Sequence, residues 1–384
     1  MVRPVVRVGP NELHFTEPTA YTDIYTSLKL LKDPILYHNT FKFGSLNLFN
    51  SINPKDHSGY KSLFSSYFSR KGVVRLESVI QERVDKLISQ LAKNHRTSPA
   101  DMNHAFRSVS LDVITLYTLR TSLDTTSYPS FCHPAILAID NAIEKLWTFK
   151  HLPFLKKLVR LPKWLSMRLT PGSKLMLEMH AEMERLVDKA IKDSQAYDPD
   201  SDPDSNVFYT LLRNARIEGK LKQSNRVTRE WLLAEGRGLR IAGSDTVGNT
   251  CTIGTRCLIR DDRVREKLVR ELETAWPDKE SPIPLECLEK LPYLTAVIKE
   301  SLRLSFGVVT PMNRVVPDSG AVIAGHEVPP GTIVSIANSF VHMSPDIFND
   351  PACFYPERWL EDRDHCLDRH LVSFGKGPRA CIGI

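Results

Sequence analysis

At 384 residues, 42% hydrophobic and 25% charged, the chain has the composition of an ordinary soluble globular protein, long enough for one large domain or two medium ones. Seven scattered cysteines without a Cys-x-x-Cys pair argue against a disulfide framework, a zinc ribbon or a c-type haem attachment, and point to a reducing compartment. The net charge of +6 is spread along the length, so it marks no nucleic-acid binder; it suits an acidic partner or an anionic membrane face.

In chain order, residues 5–15 read as two short strands around the turn Gly9-Pro10-Asn11. Helices are predicted over 19–31, 56–69, 74–93, 101–119 and 134–150. The third is the clearest, with Leu76, Val79, Ile80, Val84, Leu87, Ile88 and Leu91 at three- and four-residue spacing. Residues 151–171 mix apolar side chains with Lys, Arg and Pro, the pattern of a surface loop or of a segment resting on a membrane. A helix over 174–194 and an acidic Pro-punctuated loop over 197–205 follow. The stretch 228–260 reads as one helix of about thirty residues, although Gly236, Gly238, Gly243, Gly248 and Gly254 should weaken it. Helices over 264–275 and 291–304 precede a small sheet within 308–334, and 344–369 is aperiodic. No repeat or linker interrupts the chain, so the expectation is a single domain over 1–384, mainly α with a small β-sheet. No stretch of 18 apolar residues occurs, so no membrane span is expected.

Four patterns carry chemistry. Phe374-Gly-Lys-Gly-Pro-Arg-Ala-Cys381-Ile-Gly383 joins glycines, a proline and Arg379 to a cysteine, surroundings that favour thiolate over thiol. Ala242-Gly243-Ser244-Asp245-Thr246 puts an acid beside an alcohol, one turn from a glycine, as a proton relay requires. Glu300 and Arg303 are neighbours at i,i+3 on an apolar helix, where a buried pair needs a third partner; Arg358, in Pro356-Glu357-Arg358, offers itself.

With these four in this order, the chain resembles the cytochrome P450 family over nearly its whole length, in the style of fungal microsomal members. The resemblance implies the P450 fold and haem b (iron protoporphyrin IX) with Cys381 as axial ligand. It further implies Asp245 and Thr246 delivering protons to dioxygen, for which Gly243 leaves room. Glu300, Arg303 and Arg358 would be structural. Arg379 and Arg314 are candidates for the haem propionates, and Phe374 belongs to the haem-binding pattern. His57 and Lys61 stand where the family often has an aromatic or histidine and, four residues on, an arginine; lysine there offers a point charge instead of a fork. Gly236-Arg237-Gly238-Leu239-Arg240 also departs from the family's apolar helix, so either the arginines face solvent or one approaches the substrate.

The implied activity is a monooxygenase of secondary metabolism acting on an apolar small molecule, with electrons from NADPH through NADPH-cytochrome P450 reductase. Pocket walls are expected at 46–53, 132–169, 239–246 and 306–311. For the full-length family the implied location is the cytosolic face of the endoplasmic reticulum membrane. Relative to that pattern both ends read as cut, before an anchor and first helix and after the cysteine loop. Two alternatives stay open: a truncated product that binds haem weakly or not at all, and a P450-like isomerase or dehydratase.

Overall fold

Local capping chemistry decides where several helices of the computed structural model begin; residues 3–27, 29–41, 45–152, 173–194, 206–217, 227–279 and 281–384 are described. The helices are α1 (Thr19–Tyr25), α2 (Pro54–Phe64), α3 (Glu77–Asn94), α4 (Met102–Leu119), α5 (Pro134–His151), α6 (Ser173–Asp193), α7 (Val207–Ile217), α8 (Arg229–Arg260), α9 (Asp262–Ala275), α10 (Pro292–Ser305), α11 (Asn338–His342) and α12 (Glu357–Glu361). Asp101 caps α4 by accepting from the amides of Asn103 and His104 at 2.9 and 3.1 Å, and Asn53 does the same for Lys55 at 2.9 Å with Pro54 at the first position of α2. Pro134 and Pro292 open α5 and α10 likewise.

The two long N-terminal expectations are shortened by competing bonds. The helix expected over 19–31 ends at Tyr25, because Leu31 and Lys32 pair as a strand. The one expected over 56–69 starts at Pro54 and stops at Phe64; Ser69 then caps a separate turn, Arg70–Val74, through the Gly72 amide. The stretch 344–369 is not wholly aperiodic, since α12 forms within it. The segment 153–171, with its membrane-contact pattern, and the loop 197–205 lie outside the described residues.

Contacts gather into two compact units, 1–33 with 249–384, and 34–248. In the first, strands β1 (Val5–Gly9), β2 (Glu12–Phe15), β3 (Leu31–Lys32), β4 (Arg314–Val315) and β7 (Ile333–Ser335) form a sheet in the order β1-β2-β7-β4-β3, with β2 and β7 parallel and the other pairs antiparallel. β5 (Ala321–Ile323) and β6 (His326–Val328) make a separate hairpin. Phe15, Ile24, Val316, Ile323, Val334 and Val372 form the core of this sheet region. A second cluster, Val264, Leu268, Tyr293 and Val297, packs α9 on α10.

The second unit is helical. Leu111 of α4 packs with Ala135 and Ile136 of α5, and Ala138 and Ile139 of α5 pack with Met179 of α6. Trp231, in the first turn of α8, stacks on Tyr60 at 5.7 Å between centroids. The glycines of α8 are sites of close approach. A Cβ at Gly248 would meet Arg107 Cγ at 2.2 Å within this unit, and one at Gly254 would meet Ser301 Oγ at 2.5 Å within the other. Packing available only to glycine offsets the helix propensity lost at these two positions.

Candidate active site

The cysteine loop is built from its own backbone. Gly375 and Gly377 both sit at φ +72°, a conformation that a side chain would strain, and a Cβ at Gly377 would lie 2.6 Å from the Tyr25 carbonyl. The Cys381 amide donates to the Phe374 carbonyl at 2.8 Å, closing the loop, and the Gly383 amide donates to Cys381 Sγ at 3.3 Å. The sulfur therefore receives a backbone N–H, a contact that favours its anionic form. Upstream the loop is pinned by Ser373 Oγ donating to the Leu302 carbonyl at 2.8 Å and by the Val372 amide donating to His342 Nε2 at 2.9 Å. His342 must be neutral to accept, and burial, helped by Arg303, lowers its pKa to about 3.

Beside the loop lies a cavity whose lining includes Tyr25, Met312, Arg314, Gly375, Lys376 and Arg379. Arg314 is buried, with its guanidinium 5.1 Å from the Tyr25 ring centroid and Nη1 donating to the carbonyls of Met312 and Asn313. Across the β3–β4 pair Lys32 stands opposite Arg314, and it too is buried. Its pKa is held well below the usual lysine value, first by burial and then by Arg314 and Arg379. Arg314 and Arg379 at the wall of a cavity, the first paired across the sheet with Lys32, suit a dianionic group, and the two propionates of haem b are such a group. The residues present fit that cofactor. Lys32 was invisible in the sequence: a two-residue strand, paired with a partner nearly three hundred residues away, places it.

Glu300 is the centre of a buried cluster. It accepts from Arg303 Nε and Nη2 at 2.9 and 2.8 Å, Arg358 Nε at 3.1 Å, Trp359 Nε1 at 2.9 Å and the Tyr355 amide at 2.9 Å. Arg303 in turn donates to the carbonyls of His342, Pro351 and Cys353. The third partner expected for the pair is present as Arg358, joined by Trp359 and the Tyr355 amide, which no spacing rule announced.

On α8, in the helical unit, the Asp245 side chain is 40% exposed. Its partial burial raises the pKa from the ordinary value, and Arg107 partly opposes this from 3.4 Å. Thr246 Oγ1 donates to the Ala242 carbonyl at 2.8 Å, and Ser244 Oγ donates to the Arg107 carbonyl at 3.2 Å. The missing side chain of Gly243 faces Ile114 of α4, whose Cγ1 a Cβ would meet at 3.0 Å; this glycine thus serves helix packing. Arg240 does not face solvent: it is buried, with both Nη atoms donating to Glu182 of α6 at 3.2 and 3.3 Å. His57, buried, and Lys61, half-buried, share one face of α2.

A glycine-turned thiol loop, a cation-walled cavity and a buried Glu-Arg-Arg cluster together define a haem-thiolate class of protein. Comparison with known proteins agrees. The cytochrome P450 family model matches residues 27–384. The cytochrome P450 monooxygenase flvC of Aspergillus flavus is 32% identical over 376 residues, 97% of this chain and 68% of that one. The cytochrome P450 monooxygenase macH of Penicillium terrestre is 30% identical over 386 residues, covering 99% and 74%. Among solved structures, a cytochrome P450DA heme domain superposes with a TM-score of 0.79 at 18% identity over 99% of this chain and 79% of that one. The chain belongs to the cytochrome P450 family, whose members are haem oxidoreductases that bind small molecules and take electrons from a redox partner. No described helix is long and apolar enough to cross a membrane.

Proposed function

We propose that Cys381 would hold haem b through its sulfur and that the protein, as one P450 domain, inserts oxygen from dioxygen into an apolar small molecule of fungal secondary metabolism. The carrying observation is the Cys381 loop, whose sulfur receives the Gly383 amide. Haem held by Cys381 would supply the chemistry of dioxygen activation. The chain's own residues do the rest. Gly375 and Gly377 let the backbone turn tightly so that Cys381 would hold the cofactor, with Phe374 fixing the turn through its carbonyl. Arg314 and Arg379 would bind the propionates, with His57 and Lys61 as further contacts by analogy with the family. Asp245 would take up and release protons, with Thr246 as the second group of the relay. A side chain at Gly243 would press on Ile114 and move the turn that carries both, closing any room for dioxygen there.

By analogy with the family, electrons come from NADPH through NADPH-cytochrome P450 reductase at the cytosolic face of the endoplasmic reticulum. The decisive measurement is the absorption spectrum of the protein reduced under carbon monoxide. We expect the Soret band of a thiolate-ligated haem, abolished in Cys381→Ser; a Cys381→Ser protein that kept that band would remove the ligand assignment. Turnover without reductase would instead favour an isomerase or dehydratase.

A further inference from the structure

Within the helical unit, apart from every residue given a part in the reaction above, one group of side chains sets a nucleophile against a base. Cys132 is half-buried and stands just before α5, while His104 lies in the first turn of α4, whose N-cap is Asp101. Cys132 Sγ lies 3.7 Å from His104 Nδ1 and donates to the Ser130 carbonyl at 3.4 Å. On the far side of the ring, His104 Nε2 lies 3.4 Å from Oδ2 of Asp140, in the second turn of α5. Asp140 is held in turn by Nη1 of Arg107, a side chain only 2% exposed.

This order of contacts assigns the ring a tautomer. With Nε2–H directed at Asp140, the neutral imidazole keeps Nδ1 as an acceptor, and that nitrogen faces the thiol. Once Nδ1 takes a proton it has a carboxylate of its own, Asp101 Oδ2 at 3.5 Å. A nucleophile, a base within reach of it and a third group that orients the base are the parts of an assisted attack by sulfur. The other exposed cysteines lack this set among the described residues: Cys366 has a guanidinium, Arg369 Nη2 at 3.1 Å, and Cys287 and Cys353 have no imidazole partner. The reagent is narrowed by charge. Two carboxylates against the Arg107 guanidinium repel an anion from the sulfur, and a half-buried thiol admits a small molecule more readily than a large one.

We propose that Cys132 is an oxidation site for hydrogen peroxide, a small neutral oxidant, with His104 as its base and Asp140 as the positioning residue that orients the ring. The S–H proton passes to His104 Nδ1, the sulfur attacks one peroxide oxygen, and the O–O bond breaks. Sulfur gives up two electrons, the departing oxygen takes them, and the imidazolium returns its proton to that oxygen. One thiol and one peroxide thus become one sulfenic acid and one water.

The test is made on the haem-loaded protein with its iron blocked by an azole. Peroxide followed by dimedone should label Cys132 about a hundredfold faster than Cys287 and Cys353, the lower end of the range for a positioned base, with all three read by mass spectrometry in one sample. His104→Gln should bring Cys132 down to the rate of the other two, and Asp140→Asn should lower it part of the way. If His104→Gln does not fold, the wild type decides through charge: neutral iodoacetamide should outpace anionic iodoacetate at Cys132 by a larger ratio than at Cys287. Equal labelling of the three cysteines, a wild-type rate in His104→Gln, or the same iodoacetamide-to-iodoacetate ratio at Cys132 and Cys287 overturns the proposal.

Discussion

In the first half of α8, where a side chain is enclosed by neighbouring helices, Glu235 accepts a hydrogen bond from the Leu48 amide while Asn47 Nδ2 donates to the adjoining Ala234 carbonyl at 3.1 Å. Burial pushes the Glu235 pKa up to about 8, with the Leu48 amide opposing it. The folded pKa is thus raised above the unfolded one. The stabilisation is complete below the unfolded value of about 4.5 and is lost as pH rises through 8. Between those limits the wild type should lose about 5 kcal/mol relative to Glu235→Gln, which keeps the acceptor and cannot ionise. Chemical denaturation at a series of pH values checks this; parallel curves for the two proteins would show that Glu235 is charged in the fold. Burial is also why Glu235 and Arg240 could not be placed from sequence. Helical spacing says which residues share a face, and only the packed neighbours Leu48 and Glu182 decide what that face meets.

At the scale of elements, α8 inverts the usual rule that alanine strengthens a helix. Gly248→Ala gains roughly 1 kcal/mol of propensity. It must then displace Arg107, including backbone atoms at 3.0 and 3.1 Å, so we expect a net loss of about 2 kcal/mol by urea unfolding. A stabilised variant would mean that α4 and α8 separate freely. For α10 the sensitive point is Glu300. Glu300→Ala leaves the guanidiniums of Arg303 and Arg358 buried without their carboxylate, a loss of roughly 3–5 kcal/mol measurable in the same way. Arg303→Lys should also fail to rescue the fold, because Arg303 donates through three nitrogens to five acceptor atoms. The helices themselves were legible because periodicity and caps are local. Their ends were displaced where a residue had a competing partner, as Leu31 and Lys32 have in β4.

Across the whole molecule, the family pattern was legible because its residues are fixed by what a flat, dianionic, metal-bearing ligand demands of a short loop. The Cys381 turn, Asp245-Thr246 and Glu300-Arg303 each lie within a few residues of sequence. The buried Lys32 beside the cation wall was not legible, since it is paired with Arg314 only through the sheet. If that wall is a haem site, cofactor binding must stabilise the fold, by about 4 kcal/mol at a thousandfold excess over Kd. Calorimetry of haem-free and haem-loaded protein should show this shift, and Arg314→Leu should reduce it; an equal unfolding temperature with and without haem contradicts the assignment. The Glu300 cluster also has a consequence in time. Tyr355 and Trp359 follow Glu300 by 55 and 59 residues, so a ribosome adding roughly 5–20 residues per second completes them some 3–12 seconds after α10 has emerged. For that interval the nascent Glu300 has only Arg303 beside it, and the carbonyls that Arg303 will bind at 342, 351 and 353 do not yet exist. The segment that pins the cysteine loop is therefore committed late in synthesis, and a translational pause between residues 305 and 359 would prolong the exposure of two charges that the finished protein hides completely.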